Sequence, residues 1–502
     1  MSTNRRPLLL DANVASVLMI HVDVKDIFNV CLTSKVFAKV ARSNNFWYQR
    51  YIKDFNCNNP LLTDRVGYDW QQLYRRKYTG QMFMFGDNLS GQLGIGSNDD
   101  AQVPIRINRP GGSIITQVSC RSRHTGMVTG AGQLYMCGYN HFGQLGNSVN
   151  GPSKLPLLVD GLTNVVQVSC GYNYTGAVTR DGKLYMFGAN RCRRKYTGNT
   201  DTDINDDADD INDGTNPDAD PDTDPVIDIN TSTSIPFLIK PLTNVVQVSC
   251  GSLHAGAITT TGQLWMFGSN IYGQMGTGQG YCPNDPVLID TVTDVVYISC
   301  GANHTGIVTK GRRLYMFGSN YHGQLGDGTT SDRLLPFLLD SIPDVSSISC
   351  GTKHSGVVTL DGRLYMFGHN HDGELGDGTN INRLLPVLVS VSKTPVKRIG
   401  KVGKVGQVGK VGKVGQVGKV GQVGKVGQVG KVGQVSQVSC GDRHTGIITD
   451  EGVVYMFGHN CYGQLGNNSR VSSNVPIRLL DISDATDITC GLDCTSVIGR
   501  HR

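Results

Sequence analysis

The sequence predicts a mainly β chain: a seven-bladed β-propeller closed by strands from both ends, preceded by a small α-helical module. Three observations carry this. One phrase, Val-x-Val-Ser-Cys-Gly-x-x-His-Thr-Gly-x-Val-Thr-x-x-Gly-x-Leu-Tyr-Met-Phe-Gly-x-Asn-x-x-Gly-Gln-Leu-Gly, recurs with its Cys at Cys120, Cys170, Cys250, Cys300, Cys350, Cys440 and Cys490. The steps are 50, 80, 50, 50, 90 and 50 residues, so a period of 50 carries two longer segments. A period of that size marks a solenoid, an array or a propeller. The last repeat stops after two strand-like runs and the first begins in mid-phrase, so the two ends together supply one further unit.

Residues 1–77 lack the phrase and read as helical. Val14, Val17, Leu18 and His21 fall at i, i+3, i+4 and i+7, and Ile27, Val30, Cys31 and Ser34 repeat that spacing. Asp11 and Asp23 stand where N-caps belong. A later stretch, residues 68–74, places Trp70, Leu73 and Tyr74 on one side.

Residues 78–501 carry the repeats. Each has four short runs rich in Val, Ile, Leu, Tyr and Phe, bounded by Gly, Asn and Asp, which is a strand-and-turn pattern. In the second repeat the first three are 165–170, 175–178 and 184–187. The fourth is led by Pro, as at 286–289, 336–339 and 386–389, which suits an outer edge where a missing N–H costs no ladder bond. The first repeat opens with residues 82–86 and 103–105, and the last ends near Val497 and Ile498. Joining these leftovers gives a seventh blade and removes the open edge of an array.

Two insertions of opposite charge interrupt the period, at 199–231 and 399–435. Residues 201–228 hold twelve Asp and no Lys, Arg or Glu, a composition that cannot bury a core and predicts disorder. An EF-hand reading fails because Asp206 stands where the turn needs Gly and Asn212 where a bidentate Glu is needed. Residues 400–435 repeat Gly-Lys-Val or Gly-Gln-Val with seven Lys and no Pro, which excludes a collagen helix. With Lys397 and Arg398 this stretch carries nine positive charges and no aromatic, so phosphate contact through it would be non-specific. A flexible expanded loop is the plainer reading, and specific nucleic-acid binding is not expected. The two insertions should leave on opposite faces of the disk, because strands in a blade alternate in direction.

The net charge of +5 argues for neither nucleic acid nor membrane. No run of 18 apolar residues exists, and Leu8, Leu9 and Leu10 are stopped at once by Asp11, so neither a span nor a secretory leader is expected. Seven of the 14 Cys share one repeat position, which predicts buried thiols rather than disulfides, in an intracellular setting.

His124, His254, His304, His354 and His444 occupy one repeat position. Equivalent atoms on successive blades are too far apart to share a zinc ion at bond lengths near ~2.0 Å, so a hydrogen bond to a neighbouring backbone or Asn is expected instead. Asn88, Asn140, Asn190, Asn270, Asn320, Asn370 and Asn460 are expected as turn formers that tolerate left-handed backbone. No nucleophile elbow, phosphate loop or metal-spaced pair is present. The expectation is a non-enzymatic protein with no cofactor and no metal.

The Ser-Cys-Gly-x-x-His-Thr, Leu-Tyr-Met-Phe-Gly-x-Asn and Gly-Gln-Leu-Gly elements resemble regulator-of-chromosome-condensation repeats, a family that forms seven-bladed propellers. The Gly-Gly mark of kelch repeats is absent, and the single Trp of the repeat region, Trp265, excludes Trp-Asp repeats. There are departures: Arg121 replaces the Gly after the first Cys, Tyr174 and Cys494 replace the His, and Cys137 replaces the third-strand Phe. The acidic segment displaces the Gly-Gln-Leu-Gly of the second repeat, leaving Arg191, Cys192, Arg193, Arg194 and Lys195 there.

Upstream, Pro7-Leu8-Leu9-Leu10-Asp11, Val22-Asp23-Val24-Lys25-Asp26-Ile27, Cys31-Leu32-Thr33-Ser34-Lys35-Val36-Phe37 and Phe46-Trp47-Tyr48 resemble an F-box. That resemblance implies docking on a Skp-type adaptor of a cullin ubiquitin ligase through Pro7, Leu8, Leu18, Val24, Ile27, Leu32 and Trp47. An unrelated helical cap is the alternative. The pairing of these modules with low-complexity insertions is similar in style to proteins of large DNA viruses of amoebae, which implies the cytoplasm or nucleus of a host cell. The expected function is a substrate-recruiting adaptor whose propeller binds a target protein. The alternatives are a guanine nucleotide exchange factor or chromatin- or GTPase-binding propeller, as the repeat family implies, and a structural scaffold.

Overall fold

Aromatic side chains decide how the N-terminal helices pack. A computed structural model of the chain describes residues 12–22, 24–27, 30–31, 35–55, 69–148, 151–189, 233–280, 282–283, 285–391 and 433–502. Among the described residues four fully placed α-helices precede the strands: α1 (Ala12–Ile20), α2 (Lys35–Ala41), α3 (Asn44–Phe55) and α4 (Trp70–Thr79). α3 buries Phe46, Trp47, Tyr51 and Phe55, and α4 answers with Trp70 and Tyr74, so the two helices share one aromatic seam. Ring centroids there lie 4.8–5.6 Å apart, the range in which tilted aromatic pairs attract beyond simple burial.

Polar side chains close the helix ends. Arg50 donates to the carbonyls of Ile20 and Val22 at 2.7 and 2.6 Å, satisfying the free end of α1. Asp69 caps α4 by accepting from the Gln72 N–H at 3.0 Å. The caps expected at Asp11 and Asp23 lie outside the described residues, as does Ser34.

The strands form seven antiparallel four-stranded sheets among the described residues. Blades one to six begin with Ile115–Arg121, Val165–Cys170, Val245–Cys250, Val295–Cys300, Val345–Cys350 and Val435–Cys440. These first strands pack against one another round the axis. Blade seven is composite. Its order is 101–106, 81–86, 494–501 and 482–490, so the C-terminal residues supply the two inner strands and residues 81–106 the two outer ones. Met84 pairs with Ser496 and Phe85 with Thr495. The ring closes as the leftover strands predicted.

The repeated residues answer each other between strands. In blade four Leu314, Met316 and Phe317 are fully buried. Gly306 has to be Gly: a Cβ there would lie 2.8 Å from Ile348 of blade five and 3.0 Å from the Met316 sulfur. The repeat Cys thiols are buried, and burial pushes Cys250, Cys300, Cys350 and Cys490 up to about 12, which leaves them inert as nucleophiles near neutral pH.

One strand expectation needs correcting. Pro336 does not lead its strand but sits within Arg333–Leu339. The register jumps there, from Met316 opposite Phe337 to Gly318 opposite Arg333. The Pro therefore occupies an irregularity on the outer strand, where no ladder N–H is required of it. In blade three the strand does follow Pro286 directly, and it is only Val287–Ile289.

The helices dock on the side of the disk that carries the turns between second and third strands. Lys77 is buried and pairs with Asp487 at 3.1 Å, Arg76 pairs with Asp484 at 3.3 Å, and Arg76 also donates to the Asp450 carbonyl at 3.1 Å. Asp484 and Asp487 lie in the inner strand of blade seven, so α4 is fastened to the sheet that closes the ring.

The acidic residues 201–228, Asn190, the basic cluster at 191–195, Lys397, Arg398 and the triplets up to residue 432 lie outside the described residues. The end of the triplet tract is described: Val435 opens the first strand of blade six.

Candidate functional site

The opposite side of the disk carries the turns between first and second strands and the Asn-x-x-Gly-Gln-Leu-Gly loops after third strands. These loops are held from within. Asn320 is fully buried; its Oδ1 accepts from the Leu325 N–H at 3.0 Å and its Nδ2 donates to the Thr329 carbonyl at 3.0 Å. Asn88, Asn140, Asn270, Asn370 and Asn460 accept in the same way at 2.8–2.9 Å. The expectation of left-handed Asn is thus corrected: Gly323 (φ 80°) and Gly326 (φ 72°) take the left-handed positions, and the Asn side chain ties the loop.

Each of the six described loops also plugs the next blade. Leu325 is fully buried, and a Cβ on Gly326 would lie 2.9 Å from the ring of Phe367 in blade five. The next blade's hydroxyl completes the joint, since Ser355 donates to the Gln324 carbonyl at 2.8 Å.

The histidines act across the same joint, and their partner differs from the expected backbone or Asn. His124, His254, His304, His354 and His444 meet Thr175, Thr305, Ser355, Thr445 and Thr495 of the following blade, each at 2.9 Å from Nε2. Those hydroxyl protons are committed to loop carbonyls, as Thr175 is to Gln144 and Thr305 to Gln274. The histidine Nε2 must therefore carry the proton and donate. Burial lowers these imidazoles to about 4 at His124 and His354 and about 3 at His254, His304 and His444, so they are neutral.

The departures from the repeat cluster at particular joints. Tyr174 crosses to blade three by donating to the His254 carbonyl at 2.6 Å. Cys137 sets its thiol 3.6 Å from the Gln92 carbonyl. Arg121 spans the axis to the Cys300 carbonyl of blade four at 2.9 Å and so occupies the mouth of the central channel. In blade five, Glu374 replaces the loop Gln and bonds His369 at 2.5 Å; burial acts to raise its carboxyl, but this bond, the nearby His354 and His369 rings and a backbone hydrogen bond together hold it low.

Each described loop offers a partner an exposed side chain at one equivalent position. The residue after the buried Asn is exposed at Leu89, His141, Ile271, Tyr321, His371 and Cys461. Leu89, Ile271 and Tyr321 are 64%, 53% and 71% exposed. None of the six is Lys, Arg, Asp or Glu, and rigid loops hold them at equivalent places round the disk. Near the closing blade the face turns polar: Asp493 accepts from Gln464 at 2.7 Å and its hydrogen bond pushes His459 up. Among the described residues no group of three His, Cys, Asp or Glu is placed to hold a metal ion.

Of the residues assigned to adaptor docking, Pro7, Leu8 and Leu32 lie outside the described residues. Ile27 and Trp47 are core side chains at 6% and 7% exposure, Val24 is half-buried, and Leu18 is exposed beside Val17 on α1. Sequence reasoning missed Val17 as a surface residue because it shares the helical spacing of the apolar side. It also missed the exposed loop positions, since they vary where the repeat does not.

A profile of the RCC1-like domain matches residues 76–409, and profiles of the Regulator of chromosome condensation (RCC1) repeat match residues 435–464 and 451–498. The chain is 36% identical over 81 residues to the ultraviolet-B receptor UVR8 of Arabidopsis thaliana, covering 16% of this chain and 18% of that protein. It is 26% identical over 204 residues to the secretion-regulating guanine nucleotide exchange factor of Bos taurus, covering 39% of this chain and 38% of that protein. Both matches span well under half of the relative's own length. Among solved structures, Prp20p of Saccharomyces cerevisiae matches with a TM-score of 0.64 at 19% identity, over 84% of this chain and 92% of that one. Human WBSCR16 matches with a TM-score of 0.63 at 20% identity, over 84% and 99%. These structures share the fold. No helix among the described residues is long and apolar enough to cross a membrane.

Proposed function

This chain belongs to the RCC1-like domain family, and on that premise we propose that it is a non-enzymatic, intracellular recruiting protein with two docking ends. The loop face of the propeller holds a target protein. The helical cluster on the other side holds a Skp-type adaptor of a cullin ubiquitin ligase. The observation that carries the reading is the set of exposed side chains, Leu89, His141, Ile271, Tyr321, His371 and Cys461, none of them Lys, Arg, Asp or Glu, presented by loops that a buried Asn holds from within. Binding residues characteristically sit on loops fixed by a rigid scaffold. The adaptor end, and the host-virus setting that goes with it, rest on the F-box-like residues, of which Leu18, beside Val17, is the exposed one among the described residues.

The test is capture of a purified Skp-type adaptor by the full chain and by Val17→Asp/Leu18→Asp. Both residues are exposed, so the variant keeps its core. Loss of capture supports the adaptor end; absence of capture by the intact chain removes it and leaves a target-binding propeller or a scaffold.

A second reading is a GTPase-binding or guanine nucleotide exchange propeller. It is supported by the similarity to the bovine exchange factor and by the shared fold of Prp20p, which is described as binding Gsp1p and histones. Accelerated nucleotide release from a small GTPase by the full chain would favour it over recruitment.

A further inference from the structure

The loop of blade two, at the joint between blades two and three, has no Gly-Gln-Leu-Gly element in its sequence. In six loops the Leu or Met of the Gly-Gln-Leu-Gly element is at most 1% exposed and lodges against the next blade: Leu93, Leu145, Met275, Leu325, Leu375 and Leu465. Blade two leaves its third strand at Gly188 and begins its fourth at Thr233. Residues 190–232 between them contain no Leu, Met, Phe or Gln.

The wall that such a plug would meet is still there. In blade four, Phe317 is fully buried under the preceding loop, a Cβ on Gly318 would lie 3.1 Å from the Gln274 Cα, and Thr305 donates to the Gln274 carbonyl at 2.7 Å. The matching residues of blade three are Phe267, Gly268 and Ala255. Phe267 is only half-buried, whereas Phe187, Phe317, Phe367 and Phe457 are at most 1% exposed. Ala255 stands where the other blades have Thr or Ser. Phe267, Gly268, His254, Ala255 and Pro286 line one side of a cavity of about 290 Å³, with blade two on the other.

We propose that this cavity is a binding socket for a partner segment: a tight glycine turn that presents a Leu or Met, as a Gly-Gln-Leu-Gly loop does. The chain's own repeats are the template for that chemistry. They seat one such side chain against the following blade in each of the six described joints, beside a Phe in five and beside Cys137 in the sixth, and blade three keeps the Phe. A second copy of this chain is excluded as donor, because its own plugs are buried. The intervening residues 190–232 carry no Leu or Met and no Gly-Gln-Leu-Gly sequence. The inference deepens the target-binding reading of the loop face by naming what one part of that face recognises.

The probe is a head-to-tail cyclised peptide with the sequence of residues 140–146, titrated into the full chain by calorimetry. Saturable one-to-one binding is expected. It should weaken by at least about ten-fold when the peptide Leu is replaced by Ala, the loss that follows from removing one buried aliphatic side chain. Ala255→Thr restores the missing hydroxyl and should tighten binding about three- to ten-fold. A chain whose residues 190–232 are replaced by the blade-four loop, residues 319–332, fills its own socket and should lose peptide binding while melting at a higher temperature. Absence of saturable binding, indifference to the Leu, or undiminished binding to the self-filled chain would each overturn the proposal. A failed titration beside intact adaptor capture would overturn this inference alone.

Discussion

The joint between blades four and five and the joint that closes the ring between blades seven and one do the same work with different residues. At the first, His304 donates to Ser355, Ser299 accepts from the Cys350 N–H at 2.9 Å, and Leu325 seats on Phe367. At the second, Cys494 stands for the His, Thr489 reaches the Val118 carbonyl at 3.1 Å in place of the Ser contact, and Leu93 belongs to the loop that faces Cys137. The ordinary joint must hold two independent sheets together. The closing joint belongs to a blade already bound at both ends of the sequence, through the pairing of residues 81–86 with 494–501. The repeat is thus a code for inter-blade contact, and it loosens where another constraint takes over.

Acid should separate the two kinds of joint most sharply. Five ordinary joints contain a neutral buried imidazole, and the closing joint contains none. Each of the five is lowered to about 3 or 4 in the folded chain, against an unfolded value near ~6.5. The unfolded chain therefore binds more protons below that value, so the stability these residues lend is complete above about pH 6.5 and is lost as pH falls from there towards 4 and 3. Each contributes a slope of about 1.4 kcal/mol per pH unit inside that window. A urea-denaturation series from pH 8 to 4.5 should show steep loss below 6.5, and His304→Gln should make it shallower. A flat profile would mean the imidazoles are charged in the fold.

The plugs come next in size. Leu325→Ala empties a fully buried site against Phe367 and should cost about 3 kcal/mol. Leu93→Ala, whose loop faces the smaller Cys137, should cost less. Chemical denaturation of both variants at pH 8 would show it, and equal losses would mean the Phe adds nothing to the joint.

Cys494→His tests whether the closing joint can accept the ordinary device. Thr125 of blade one already donates to the Gln92 carbonyl at 2.8 Å, as the hydroxyls of filled joints do, but no imidazole faces it. The substitution should raise stability at pH 8 by about 1 kcal/mol and steepen the acid loss. A fall in melting temperature at pH 8 would show that the closing joint is packed too tightly for the ring.

These joints also explain how much the sequence disclosed. Blade number, strand order and the composite seventh blade follow from period and phase, because a repeat must bury its faces against copies of itself. The partners of His304 and Asn320 did not follow, since one lies a full repeat away and the other is a backbone N–H inside its own loop. Pro336 was misplaced for a related reason: strand-edge propensity says nothing of the register jump opposite Met316. In the helices the apolar spacing found the seam of Trp70 and Tyr74, but it could not tell Ile27 and Trp47, which face inward, from Leu18, which does not. The loop face was silent because its exposed residues are the ones the repeat leaves unspecified.

The smallest expected effect on stability belongs to that silent face, where it should coincide with the largest effect on binding. Tyr321 follows the buried Asn320 in the same loop that delivers Leu325 to blade five, yet it is 71% exposed. Its backbone is fixed by its neighbours, so Tyr321→Ser should change unfolding stability by no more than about 0.5 kcal/mol. If the face holds a protein partner, a central aromatic of this kind is where binding energy concentrates, and the same variant should lose about ten-fold or more in affinity for a captured target. Proximity labelling of the intact chain and of Tyr321→Ser, followed by titration of the strongest differential target, separates the possibilities. A variant as stable as the parent that still binds every target equally would assign the exposed ring to solvent alone and leave the filled joints as the whole purpose of the loops.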